Sequence, residues 1–273
     1  MSNPVFTDTH VHLYLEEFDP DRDQMIQRAE KAGVYYLFLP NIDSTSVKQM
    51  LRVCESWPYL CYPMMGLHPG SVRANYRDEL SLVSQYLADT KYRFFGLGEI
   101  GIDLYWDKTF ENEQKEAFNL QLDLAVEYSL PVAVHTRNSI EVTLELMEGR
   151  NDKGLRGVFH CFSGDVARAE RAVNMGFYLG IGGVITYKKS GLADVVAAMP
   201  LESLLLETDA PFLPPVPYRG KRNESSYIPL IAQKIAEIKG VSLEKVAEVT
   251  TRNALKLFIH DEVNFNKRIA NSE

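Results

Sequence analysis

Five of the six histidines in the sequence stand directly after short apolar segments that are typical of β-strands. These five residues are His10, His12, His68, His135 and His160. Two acidic residues, Glu99 and Asp209, occupy the same kind of position. Imidazoles and carboxylates bind divalent metal ions and transfer protons. If the fold brings these strand ends to one edge, the sequence predicts a metal-dependent catalytic centre there.

The spacing of these residues indicates separate parts of such a centre. His10 and His12 are two residues apart, so on a strand both imidazoles point to one side and can reach one ion. Glu99 lies in the glycine-containing segment 98–103, where we expect a tight turn after the fourth strand, and its two oxygens can bridge two cations. Asp209 can bind a metal, accept a proton, or both. Taken singly, each residue also fits a structural role, and only their convergence favours a metal site.

Candidate substrate contacts lie close to these positions. His68 follows the third strand on a turn, and we expect it to contact substrate, with a simple turn histidine as the alternative. Arg137 comes two residues after His135 and is a second candidate contact. Tyr105 and Trp106 follow segment 98–103, where they can stack on a base or pack as a loop anchor.

The charge of the chain restricts how it can bind an anionic substrate. The sequence has 29 Lys and Arg against 37 Asp and Glu, a net charge of −8, which argues against a general basic coat for nucleic acid. A local cationic group, Arg219, Lys221 and Arg222, follows the eighth strand, where barrels frequently bind phosphate. A solvated charged face is the alternative for this group.

Eight short apolar strand candidates alternate with helical segments along the chain. The predicted strands are Val5–Thr7, Tyr35–Leu39, Leu60–Met65, Phe94–Leu97, Val132–Val134, Gly157–Phe159, Phe177–Leu179 and Ser203–Leu206. Such alternation predicts a parallel sheet, and eight units in this length favour a single α/β domain, a (β/α)8 TIM barrel, whose active site is built where the strands end. A doubly wound open sheet is the structural alternative.

Length and composition set the remaining expectations. We predict that residues 1–260 of the 273 form the barrel and that 261–273 form a polar C-terminal tail. The three cysteines show no paired pattern, the N-terminus has no signal-peptide features, and no apolar run is long enough to span a membrane. We therefore expect a cytoplasmic protein with no membrane association and no obligate protein partner.

Several segments together resemble the TatD family of metal-dependent deoxyribonucleases. The matching segments are 7–13, 98–103, 135–137, 160–164, 206–211, 219–224 and 253–258. They keep the order and spacing of the family over about residues 5–259. One departure is Ser225, where the family commonly has proline, so the entry to the last helices is expected to differ.

The resemblance implies a binuclear metal site in a TIM barrel. By it, His10, His12 and Asp209 would hold one divalent ion, His135 and His160 would hold the other, and Glu99 would bridge both. The metals are Mg²⁺, Mn²⁺ or Zn²⁺, since histidine suits zinc whereas carboxylate and phosphate chemistry suit magnesium or manganese. Asp209 and Glu99 would be the catalytic residues.

We therefore expect a 3′–5′ exodeoxyribonuclease that cleaves DNA phosphodiester bonds by two-metal activation of water. Its substrate would be DNA strand ends, preferably single-stranded, with His68, Arg137, Arg219 and Lys221 binding the phosphate chain. One alternative is a binuclear hydrolase that acts on an ester, lactone, amide or aminoacyl-tRNA bond, because the ligand set does not choose the electrophile. The other alternative is a metal-binding scaffold without catalysis.

Overall fold

The computed structural model describes residues 4–150 and 154–259. Its strands are β1 (Phe6–Asp8), β2 (Val34–Pro40), β3 (Cys61–Met64), β4 (Leu97–Asp103), β5 (Val132–Arg137), β6 (Gly157–Phe159), β7 (Tyr178–Ile181) and β8 (Leu204–Leu206). Its α-helices are α1 (Arg22–Lys31), α2 (Val47–Ser56), α3 (Tyr76–Ala88), α4 (Glu111–Glu127), α5 (Ile140–Glu148), α6 (Val166–Asn174), α7 (Leu192–Ala198), α8 (Ile228–Lys239) and α9 (Leu243–Phe258). The predicted tail, 261–273, lies outside the described residues, so this division of the chain stays a prediction.

All strand pairings are parallel and follow chain order. Strands β1 to β3 form one ladder and β4 to β8 form another. Isolated parallel bridges join the two ladders at both seams, Met65 with Leu97 and Val11 with Ala210. The second bridge joins the chain after β1 to the chain after β8, as a barrel requires and an open sheet does not. The predicted (β/α)8 barrel is confirmed.

The fourth strand differs from the prediction. We expected it at Phe94–Leu97 with Glu99 in a turn beyond it, whereas β4 runs from Leu97 to Asp103 and contains Glu99. The glycines of this segment allow a close approach to β5 instead of a turn. A Cβ atom on Gly98 would lie 2.7 Å from the Ala133 Cβ, and one on Gly101, at φ +141°, would lie 2.1 Å from the His135 carbonyl oxygen.

The inner face of the barrel is apolar at its lower end and carries the histidines and acids above it. Side chains two residues apart on a strand point to the same side. In three strands an apolar interior residue is therefore followed, two positions later, by a polar residue that also points into the barrel. These pairs are Ala133 with His135, Val158 with His160, and Leu205 with Glu207. From below, Phe258 of α9 packs on Phe38 of β2, with ring centroids 4.5 Å apart.

No α-helix among the described residues is long and apolar enough to cross a membrane. The entry to α8 contains a short 3-10 turn, Ser225–Tyr227, before the helix begins at Ile228. Ser225, the departure from the family pattern, donates a hydrogen bond of 2.7 Å to the buried carboxylate of Asp8. This serine therefore connects the loop that precedes α8 with β1.

Candidate metal centre

The carboxylate of Glu99 lies between two groups of histidines inside the barrel. Its Oε2 atom is 3.2 Å from His10 Nε2 and 3.5 Å from His12 Nε2. Its Oε1 atom is 2.6 Å from His135 Nδ1 and 3.0 Å from His160 Nε2. Glu99 is only 3% exposed. One carboxylate therefore presents a separate oxygen to each group, which is the arrangement that a residue bridging two cations needs.

Asp209 joins the group on the Oε2 side of Glu99. Its Oδ1 atom is 3.4 Å from His12 Nε2 and 4.0 Å from His10 Nε2. The residue follows β8 with φ at +56°, a left-handed conformation that aspartate tolerates better than most residues. The structure thus brings the six predicted metal ligands together around Glu99, and their division between two ions, which the family resemblance implies, stays a prediction.

In His12 and His135, the ring nitrogen that points away from the centre makes a hydrogen bond. This hydrogen bond orients the other ring nitrogen, the candidate ligand atom, toward the centre. The Tyr14 hydroxyl donates to the Pro40 carbonyl at 2.6 Å, so its oxygen is left to accept from His12 Nδ1 at 2.8 Å. Asp103 Oδ2 accepts from His135 Nε2 at 3.1 Å. In the neutral rings these nitrogens carry the proton, so His12 Nε2 and His135 Nδ1 are the atoms that have a lone pair for a ligand.

The third outer partner is Glu207, which is fully buried. Its Oε1 atom accepts a hydrogen bond from the Cys161 backbone N–H and lies 3.3 Å from His160 Nδ1. A Cβ atom on Gly180 would lie 2.2 Å from Glu207 Oε2, so the carboxylate occupies space that only glycine leaves open. Glu207 therefore lies inside the barrel and directly beside a candidate ligand, His160.

The electrostatics of the site favour positive charge. Burial opposes protonation of His12, but hydrogen bonds to Asp209 and Glu99 outweigh it and raise the His12 pKa to about 9. Burial also acts to raise the pKa of Glu99, yet the surrounding histidines, His68 and His160 first among them, hold it well below its usual range. A site that stabilises carboxylates and histidinium rings in this way suits cations, and its imidazole and carboxylate donors suit divalent metals.

Comparison with known proteins places the chain in a family. Residues 7–259 match the family model described as TatD related DNase. The chain belongs to the TatD family. It is 35% identical to an uncharacterized metal-dependent hydrolase, YabD, of Bacillus subtilis (strain 168), over 92% of this chain and 98% of that protein.

Two further relatives of this TatD-family chain are informative. The crystal structure of the TatD homologue YjjV from Escherichia coli K12 superimposes with a TM-score of 0.88 at 32% identity, covering 93% of this chain and 98% of that one. A protein of Erwinia tasmaniensis named 3′-5′ ssDNA/RNA exonuclease TatD is 32% identical over 92% of this chain and 98% of its own length. The protein is thus a TatD-family metal-dependent hydrolase.

His68 lies closer to the centre of this TatD-family site than its sequence position indicated. We expected a substrate contact or a simple turn histidine, and its Nε2 atom is 3.4 Å from Glu99 Oε1. Its Nδ1 atom accepts a hydrogen bond of 2.8 Å from the Gly70 N–H. In the neutral ring the proton is therefore on Nε2, which makes His68 a hydrogen-bond donor toward the site. Its position within 4.8 Å of Glu99 and His135 also makes these three residues a group that could hold a metal ion.

Three predicted substrate-binding cations lie against aromatic rings. The guanidinium carbon of Arg137 is 4.1 Å from the Tyr105 ring centroid, and that of Arg219 is 4.4 Å from the ring centroid of Tyr187. Lys221 Nζ is 5.9 Å from the ring centroid of Tyr218. Within residues 4–150 and 154–259, none of the three cations has a carboxylate partner within ion-pair distance, so their charges are available to an anionic substrate.

Arg222, the third cation of the predicted phosphate group, has a different role. Its guanidinium donates to both carboxylate oxygens of Asp21, at 2.6 and 2.9 Å. Arg28 of α1 in turn binds Asp21 at 2.8 Å and pairs with Glu224. The expectation that Arg222 belongs to the phosphate group is wrong, because Asp21 already neutralises it and fixes the loop after β8 to α1.

This ion-pair network gives a pH-dependent prediction for stability. Hydrogen bonds from Arg222 and Arg28 lower the pKa of Asp21 to about 2, below its ordinary value of 3.8. A carboxyl group whose pKa is lower in the folded than in the unfolded protein stabilises the fold at pH values above the unfolded-state pKa. This stabilisation is lost as the pH falls toward 2. We expect Asp21→Asn to lower the free energy of unfolding by about 1 kcal/mol at neutral pH.

Urea denaturation at several pH values tests this prediction. The difference in the free energy of unfolding between Asp21→Asn and the unsubstituted protein should shrink as the pH is lowered from about 5 to about 3. Arg219→Ala is the matched control from the same loop, since Arg219 stacks on Tyr187 without a carboxylate partner, and it should leave the pH dependence unchanged. A difference that is constant with pH would contradict the assigned role of the network.

Proposed function

We propose that this protein is a 3′–5′ exodeoxyribonuclease that hydrolyses phosphodiester bonds at single-stranded DNA ends. The observation that carries the proposal is Glu99, which presents one oxygen to His10 and His12 and the other to His135 and His160. Arg219 and Lys221, cations without carboxylate partners among the described residues, support phosphate as the group that is bound. The name of the Erwinia relative, 3′-5′ ssDNA/RNA exonuclease TatD, supports single-stranded nucleic acid as the substrate class.

The residues divide the work as follows. His10, His12 and Asp209 would hold one divalent ion and His135 and His160 the other, with Glu99 shared between them. Bound Mg²⁺, Mn²⁺ or Zn²⁺ supplies Lewis-acid activation of water and charge stabilisation at phosphorus. Asp209 would accept the proton of the attacking water, because its carboxylate is more exposed than that of Glu99, the other acidic candidate ligand: 16% of the Asp209 side chain is exposed against 4% of that of Glu99.

The remaining contacts hold the phosphate. His68 donates from Nε2, while Arg219, Lys221 and Arg137 supply positive charge at the rim. Because the chain is acidic as a whole, with a net charge of −8, binding is local and favours a strand end over a long duplex tract. We include a cytoplasmic location in the proposal, since Cys54, Cys61 and Cys161 are free thiols, a state typical of a reducing compartment.

A direct cleavage assay tests the proposed function. The purified protein is incubated with 5′-labelled single-stranded DNA and Mg²⁺, Mn²⁺ or Zn²⁺ in separate reactions. We expect a ladder that shortens from the 3′ end, absent with a chelator. Cutting of a circular single strand would contradict exonuclease action. If metal binds, shown by a rise in Tm, and no DNA is cut, the activity belongs to a non-phosphodiester substrate of the same hydrolase.

A further inference from the structure

Two large aromatic side chains are exposed at the rim next to the metal centre. Trp106 is 77% exposed and Tyr105 is 49% exposed. Their rings meet edge to face, with centroids 4.6 Å apart. Arg137 lies beside both, with its guanidinium carbon 4.1 Å from the Tyr105 centroid and 5.4 Å from that of Trp106. Side chains that anchor a loop are buried, so this degree of exposure argues against the anchor role.

A chain of close contacts connects this cluster to the centre. The Tyr105 N–H donates to Asp103 Oδ1 at 2.9 Å, and Asp103 Oδ2 accepts from His135 Nε2 at 3.1 Å. His135 Nδ1 in turn lies 2.6 Å from Glu99 Oε1. Arg137 is paired in register with Asp103 across β4 and β5. These contacts place the Tyr105 backbone, and with it the aromatic cluster, beside His135.

We infer that Tyr105, Trp106 and Arg137 form a stacking platform for an unpaired nucleobase next to the bond that is cleaved. The inference rests on the proposed function and names the part of the substrate that these residues bind. Every nucleobase has a π face that stacks on an indole, and an arginine beside it adds a planar cation that stacks on a base or neutralises a phosphate. A base within a duplex has both faces covered, so the platform selects single strands.

Binding measurements on two matched strands test the platform. The first is a short 5′-fluorescein thymidine oligonucleotide, and the second has abasic residues at its three 3′-terminal positions, so the phosphates are the same. Anisotropy titrations use metal-loaded protein carrying Asp209→Asn to suppress cleavage. We expect the abasic strand to bind roughly 5- to 100-fold more weakly than the first strand. Equal affinities would overturn the platform.

Variants of the platform supply the second arm. Trp106→Ala should weaken binding of the base-bearing strand by a similar factor and leave the abasic strand unaffected, whereas Trp106→Phe should keep most of the affinity. Tyr59→Ala is the matched control, because Tyr59 is 75% exposed but precedes β3, at the opposite end of the barrel. Equal weakening of both strands by Trp106→Ala would also overturn the inference.

Fluorescence of the platform itself gives an independent result. The sequence has two tryptophans, so Trp57→Phe leaves Trp106 as the single indole. Its emission should be quenched by the base-bearing strand and unchanged by the abasic one. Base-dependent binding without cleavage under any metal would refute the proposed nuclease and leave the platform standing. Cleavage with base-independent binding and no quenching would refute the platform alone.

Discussion

Glu99→Gln is expected to abolish measurable hydrolysis and to weaken metal binding in both histidine groups. The substitution keeps the size of the side chain but replaces one oxygen with an amide nitrogen, which cannot bind a cation. Loss of an outer partner of a metal ligand commonly costs 10- to 100-fold in metal affinity. Since Glu99 faces both groups directly and the substitution also removes the negative charge that they share, we expect a loss of more than about 100-fold in each. Metal stoichiometry and the metal-dependent rise in Tm measure this loss.

Glu207→Gln provides the matched control for this experiment. Both residues are buried glutamates of the same barrel, 3% and 0% exposed, but Glu207 lies behind the histidines, 3.3 Å from His160 Nδ1 and within 4.8 Å of a ring nitrogen of His10. The substitution Glu207→Gln should therefore weaken metal binding by the smaller factor typical of an outer partner. If Glu99→Gln still bound two ions with the affinity of the unsubstituted protein, its assignment as the shared ligand would be wrong.

The sequence was sufficient to predict the barrel and its set of histidines because both depend on local patterns. Short apolar strands at regular intervals determine where each strand ends, and parallel strands place those ends on one rim. His135 and His160 illustrate this, since each follows an interior apolar residue, Ala133 or Val158, by two positions. The side on which a strand residue points is fixed by its spacing, and this spacing can be counted in the sequence.

The extent of β4 could not be obtained in this way. Gly98 and Gly101 indicate a turn when only their conformational freedom is considered. In the structure they are required because β5 passes too close for a side chain, and that proximity is a property of the assembled sheet. A local signal existed all the same, since the apolar residues Leu97, Ile100 and Ile102 continue the strand beyond the first glycine.

Contacts between distant parts of the chain account for the other differences. Arg222 binds Asp21 across 201 positions of sequence, and Ser225 binds Asp8 across 217. The buried carboxylate of Asp8 likewise accepts hydrogen bonds from Thr208 and Ser225, far away in the sequence, and from the His10 backbone N–H. No local pattern distinguishes a cation that binds substrate from one that is neutralised by a carboxylate on another element.

Asp209→Asn is expected to lower kcat by 10²- to 10⁴-fold, the range typical of a lost general base. Burial acts to raise the pKa of Asp209, but the hydrogen bond with His12 and the nearby charges of His160 and His10 outweigh it and hold the pKa below its ordinary value. The group is therefore ionised at neutral pH and can accept a proton. Single-turnover rates measured with the labelled strand check this prediction, and Asp194→Asn, an exposed aspartate on α7, is the control.

Metal content separates the two roles that Asp209 can have. Asn keeps one carbonyl oxygen, so the ion held with His10 and His12 should be weakened but still bind at high concentration. If the rate stays low when that group is saturated with metal, the lost carboxylate acted as a proton acceptor. If saturation restores the rate, Asp209 acts only as a ligand, and the proton acceptor must be sought among the other carboxylates of the centre, with Glu99 nearest to the histidines of both groups.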